Sequence, residues 1–189
     1  MKATTIFLLI AAMAAIVTAP AEASFCTELQ IKITEEKTNY TPNIYATHSF
    51  NDHIGISSFV LVDREWGEFV AGPTLSPAPW IEIGFSAGVE QVDDSPKTWR
   101  TVTSLWLGHG RYSSLGIFEK GGGGWWYTSR FIIHEADWLG GGVMAQRFVG
   151  IGPRVEISIP HTPITIWGAG LHDLEGDSNN AIVGIKANF

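Results

Sequence analysis

From Trp80 to Glu90 the chain alternates: Ile81, Ile83, Phe85, Ala87 and Val89 are apolar, and Glu82, Gly84, Ser86, Gly88 and Glu90 lie between them or follow. A period of two sends the two sets to opposite faces of a β-strand. The pattern returns between Phe148 and Ile159, where Val149, Ile151, Pro153, Val155, Ile157 and Ile159 oppose Gly150, Gly152, Arg154, Glu156 and Ser158. It returns again at the end of the chain, with Ala181, Val183, Ile185, Ala187 and Phe189 on one side. Eight weaker runs, at 29–36, 44–50, 54–63, 69–76, 99–108, 112–119, 125–134 and 164–172, fill the interval. Between them lie turn formers such as Asn51-Asp52, Asp93-Asp94-Ser95-Pro96, Gly121–Gly124 and Pro160-His161-Thr162-Pro163. Short strands at this spacing without helical periodicity predict an all-β, antiparallel fold.

The polar face of the strong strands consists of glycine, serine and charged residues. A soluble sandwich or barrel needs bulky apolar side chains inside. Small residues and compensated charges inside, with aliphatics outside, is the inverted pattern of a transmembrane β-barrel. Pro153 sits on the apolar face and removes a ladder donor, which predicts a bulge or a rim position there. Trp66, Trp80, Trp99, Trp125 and Trp126 fall near strand ends, where an indole can straddle lipid and headgroups. The competing reading places the same rings in a soluble core.

Composition sharpens this picture. Charged residues are 16% of the chain, with 21 glycines and 8 tryptophans. Soluble domains average about 25% charged. The net charge of −7 disfavours nucleic acid as a partner. Met1-Lys2, the apolar run Ile6–Val17 and Ala21-Glu22-Ala23 have the order of a secretory signal peptide. Cleavage after Ala23 is expected. Residues 24–189 then form one domain, in which either Leu29–Glu36 is an N-terminal extension (24–42) or Ile44–Phe50 belongs to a loop. Cys26 is the only cysteine, so no internal disulfide can form.

The closing nine residues, Ala181 to Phe189, resemble the last strand of bacterial outer-membrane β-barrels, which ends in an aromatic residue preceded by apolar residues at every second position. Phe189, Ile185, Val183 and Ala181 match; at Ala187 that family more often carries an aromatic. The resemblance implies an up-and-down barrel pairing its first and last strands, with Phe189 at the periplasmic interface as the point read by the assembly machinery. Outer-membrane lipid and lipopolysaccharide would be its surroundings. Termini on one side require an even strand number. Ten strands are expected, or eight if two hairpins are bends. Loops near 136–142 and 174–180 are expected opposite Phe189.

The candidate lumen residues are Glu82, Glu90, Arg154, Glu156 and Lys186, read either as a pore lining or as an internal ion-pair network. No metal-ligand spacing links the histidines, and no cofactor motif is present. Some small outer-membrane barrels are acyl hydrolases of lipid A, with His-x-Ser on one strand. Here Arg111 stands where that base would be, two residues before Ser113, and His109 is the nearest histidine in sequence. The expected function is structural, adhesive or weakly channel-forming. The alternatives are a lipid A deacylase-like hydrolase and a soluble periplasmic binding barrel.

Overall fold

The alternation resolves into β1 (Ala23–Ile33), β2 (Thr38–Ser49), β3 (Ile54–Val62), β4 (Trp66–Ala78), β5 (Ile81–Val92), β6 (Thr98–His109), β7 (Tyr112–Gly121), β8 (Gly124–Ala136), β9 (Leu139–Gln146), β10 (Gly150–Ser158), β11 (Ile164–Asp173) and β12 (Ser178–Asn188). This is a computed structural model, and it describes residues 23–34, 37–93 and 95–189. The expected signal peptide therefore lies outside the described residues, apart from Ala23.

Each strand pairs antiparallel with its sequence neighbour, and β1 pairs with β12, so the sheet closes. The last residue completes that seam. Phe189 exchanges backbone hydrogen bonds with Phe25 at 2.8 and 3.0 Å, and the two rings stack with centroids 4.7 Å apart. Closure leaves no free sheet edge.

The strand number is twelve among the described residues, not the ten or eight expected. The missing strand is β9, whose Gly140, Gly141 and Gly142 carry no side chains to alternate. The inward Gly142 packs where a Cβ would strike the Phe131 carbonyl of β8. Residues 24–42 are not an extension: they form β1 and the start of β2, both wall strands. The β8–β9 turn, expected opposite Phe189, lies at the same end as Phe189, because β9 adds one reversal. The β11–β12 turn does lie at the opposite, far end.

Outward positions carry the aliphatic rows. Phe85, Val89, Val155, Ile157, Val183 and Ile185 are all 44–50% exposed, and Ile166, Phe69 and Leu105 join them. Aromatic rings gather at both ends of this belt: Trp80, Trp138 and Phe189 at the terminal end, Trp99 and Trp125 at the far end. A continuous apolar belt of this kind has no stable place in water. Pro153 lies on the outside at neither bulge nor rim. The β10–β11 register is identical on both sides of it, and only the pairs at Gly152 and Pro153 are interrupted. Gly72-Pro73 in β4 breaks its ladder with β5 in the same way.

Val149, expected on the outer row, is fully buried inside. The tight β9–β10 turn draws it inward against a patch of Met144, Trp167, Ala169, Leu171 and Ile182. Asn180 Nδ2 holds it there, donating to the Val149 carbonyl at 2.8 Å. One sector of the inner wall is thus apolar, where the sequence predicted only small and charged residues.

Candidate functional site

The inner wall carries two charged networks. The first belongs to β4–β7. Arg100 is the cation at the centre of three buried carboxylates. Its Nη1 donates to Glu90 Oε2 at 2.8 Å, Nη2 and Nε reach Glu119 Oε2 at 2.5 and 3.1 Å, and Nε lies 3.5 Å from Glu68 Oε2. The backbone N–H of Gly123 and the hydroxyl of Thr98 donate to the other oxygen of Glu90, at 2.8 and 3.2 Å. The Trp66 ring lies 5.1 Å from the guanidinium. Register explains the assembly: Glu68 faces Glu90, Glu90 faces Thr98, and Arg100 faces Gly121, whose missing side chain leaves room beside Arg100 and Glu90.

The second network belongs to β10–β12 and β1. Arg154 Nε donates to Glu156 Oε1 at 2.8 Å, and Lys186 Nζ donates to Glu156 Oε2 at 3.1 Å. The guanidinium of Arg154 stacks 3.5 Å from the Trp167 ring, and Trp167 Nε1 donates to Glu28 Oε1 at 2.6 Å. Gln30 and Asn43 donate to the other Glu28 oxygen at 2.8 and 3.4 Å. Gly184 faces Trp167 across β11–β12, and any Cβ there would meet the indole.

All five residues singled out from sequence occupy inward register positions, but they do not form one site. Glu90 joins Arg100; Arg154, Glu156 and Lys186 form the second network. Glu82 joins neither and lines a polar cavity of about 310 Å³ with Ser49, Thr74 and Ser76 near the terminal end. Arg100, Glu68, Glu119, Glu28 and Trp167 were not anticipated. Of the expected interfacial aromatics, Trp80, Trp99, Trp125 and Phe189 are exposed on the outside. Trp66 and Trp126 are corrections. Trp66 turns inward beside Arg100, and Trp126 pairs with the inward Glu119. Strand-end position alone does not say which face a ring takes.

The hydrolase alternative meets an unexpected contact: Ser113 Oγ lies 3.1 Å from His134 Nε2, across β7–β8. No carboxylate orients His134 among the described residues, since the adjacent Glu135 is paired with Arg111 at 2.8 Å. An activated nucleophile needs that third group. No cluster of three or more His, Cys, Asp or Glu placed to hold a metal ion occurs among the described residues.

The arrangement decides what the interior can do. Around the barrel, the interior side-chain hydrogen bonds and ion pairs among the described residues join strands no more than two places apart. The charges therefore run along the wall and do not lace across the centre. Eight-stranded barrels are filled by their own side chains, whereas much larger ones hold an aqueous channel. Twelve strands lie between these limits.

No protein-family model matches the chain, and no curated protein matches its sequence. Solved structures do. The chain is similar to the KdgM porin, with a TM-score of 0.61, 11% identity, and coverage of 87% of this chain and 99% of that one. A second structure of the same porin, in complex with disordered oligogalacturonate, aligns equally. The NanC porin aligns with a TM-score of 0.54 and 6% identity, over 86% of this chain and 98% of that one. The fold is that of a porin-like barrel. At such identities the likeness reaches the architecture and no further.

Proposed function

We propose that this chain is an outer-membrane β-barrel that forms a weakly selective channel for small polar solutes. The observation that carries this reading is the confinement of both ion-pair networks to the wall of a twelve-stranded barrel, with no side-chain hydrogen bond or ion pair among the described residues spanning its interior. The exposed aliphatic belt between two aromatic bands supports the membrane location. The fold shared with two porins supports the channel.

Inward carboxylates (Glu28, Glu68, Glu82, Glu90, Glu119, Glu156) face a comparable set of inward cations (Lys32, Arg100, Arg130, Arg154, Lys186). The KdgM porin has been captured with an oligogalacturonate, a polyanion. In this chain Arg100, Arg154 and Lys186 are held by glutamates, so the interior offers no uninterrupted row of unpaired cations to such a polymer. Lys32 and Arg130 are the exceptions: neither makes a hydrogen bond or ion pair within the described residues, and Arg130 lies between Leu115 and Met144 on the inner face.

The test is conductance of the refolded protein in planar lipid bilayers under a salt gradient. The wild-type chain should open discrete channels with a small reversal potential. Arg130→Glu should keep the channels and shift the reversal potential towards cation selectivity, because a charge reversal at the lining acts directly on permeant ions. A folded, inserted barrel that passes no current would overturn the channel reading.

A further inference from the structure

Two cations on the outer surface of the far rim lack carboxylate partners. Lys120 lies on the outward face of β7, opposite Trp125. Arg147, in the β9–β10 turn, stacks 3.5 Å from the Trp125 ring and 4.2 Å from that of Phe148, and its Nη1 donates to the Trp125 carbonyl. Trp125 is itself stacked between Phe118 and Tyr127, with centroids 6.1 and 6.0 Å away.

Phe148 has a φ of 64°, a left-handed conformation that costs energy for a bulky residue. That strained backbone keeps its ring outside while Val149 enters the interior. The guanidinium is thereby fixed in place with N–H donors to spare.

Acids at the flanking β5–β6 and β11–β12 turns, Asp93 and Asp173 among them, make no ion pair with either cation among the described residues. Neither Gly122-Gly123 nor Arg147-Phe148-Val149 includes an acid, and the outward neighbours at this end are Trp99, Thr101, Phe118 and Tyr127. Lys37 is answered by Glu65 at 2.9 Å and Arg111 by Glu135 at 2.8 Å. Arg64 and Lys97, exposed in the β3–β4 and β5–β6 turns of the far end, also lack an ion pair among the described residues but, unlike Arg147, stack on no ring there. In a chain of net charge −7, an uncompensated pair on one arc of the rim is a local feature of the surface.

We propose that Lys120 and Arg147, on the Trp125 platform, form a binding site for the phosphate groups of a phosphorylated glycolipid in the outer leaflet. Charge complementarity and depth argue for this occupant. The pair sits in the far aromatic band, where rings mark the headgroup level. Arginine bonds phosphate through a planar set of donors, and stacking on an indole orders that set in advance. The site rests on the outer-membrane reading, with the far end facing outward.

The test is native mass spectrometry of the refolded full barrel in detergent, titrated with lipid A, with dephosphorylated lipid A and with phosphatidylglycerol. Wild type should retain lipid A in preference to the other two. The variant carrying Lys120→Gln and Arg147→Gln should bind lipid A about thirtyfold more weakly, because cations near an anionic lipid surface contribute about fivefold each. Arg111→Gln, at the opposite end, should bind as wild type does. If the double variant loses its heat-dependent gel shift, Arg147→Gln alone should still weaken binding about fivefold. Equal binding of lipid A by wild type and variants overturns the site, as does equal retention of dephosphorylated lipid A or phosphatidylglycerol. Failure of wild type to enter vesicles at all is a separate result, which overturns the membrane reading beneath it.

Discussion

Arg100→Leu should lower the stability of the barrel by about 3–5 kcal/mol, the cost of leaving buried charge without its partner. Urea unfolding in lipid vesicles, followed by the heat-dependent gel shift, would measure it. Glu68, Glu90 and Glu119 are all nearly inaccessible, and this one guanidinium faces each of them. Without it, three carboxylates must take up protons or drag in water. Arg100→Lys should recover only part of the loss, because an ammonium cannot reproduce the fork that reaches Glu90 and Glu119 together. Adding Glu68→Gln and Glu119→Gln to Arg100→Leu should recover more than the lysine does, since it removes the repulsion itself. An unfolding midpoint unchanged in Arg100→Leu would mean that this network contributes nothing to the fold.

Val155→Arg should cost about 2–4 kcal/mol, the penalty for a cation on the lipid face of a membrane barrel near mid-depth. Val155 lies near the middle of β10, outward and 48% exposed, between the inward Arg154 and Glu156. On a protein surrounded by water, arginine at so exposed a position would be nearly neutral. Unfolding in vesicles of matched thickness separates these outcomes. No measurable loss would indicate that the outer face of the sheet meets water.

The features most legible in the sequence were those in which alternation survives side by side with contrasting side chains. β5, β10 and β12 could be read because aliphatics there alternate with glycines and charges. The closing role of Phe189 could be read because a resemblance pointed to it. β9 could not, since three successive glycines erase the contrast that defines a strand. Val149 broke the outer row because a tight turn resets parity, and nothing local marks which side the next residue takes.

The networks were less legible than the strands. Arg154 and Glu156 share a strand and a face, so their proximity follows from spacing of two. Arg100 meets Glu68 only because the registers of β4–β5 and β5–β6 align them, and register is a property of pairing between distant segments. Trp66 shows the same limit. Near a strand end an indole can serve the headgroup region or cap an internal cation, and the choice depends on inward or outward parity. His134 came to Ser113 across a hairpin, while the histidine nearest in sequence, His109, did not.

The most direct test of the account is a pair of nitroxide labels at adjacent residues of β5, Phe85→Cys and Ser86→Cys, each in a Cys26→Ser background and reconstituted in vesicles. Power-saturation measurements should show the label at 85 colliding with oxygen dissolved in lipid and shielded from a water-soluble nickel complex. The label at 86 should show the reverse. The opposite assignment, or equal exposure of both labels to the nickel complex, would contradict a sheet whose greasy face meets lipid and whose polar face lines the interior.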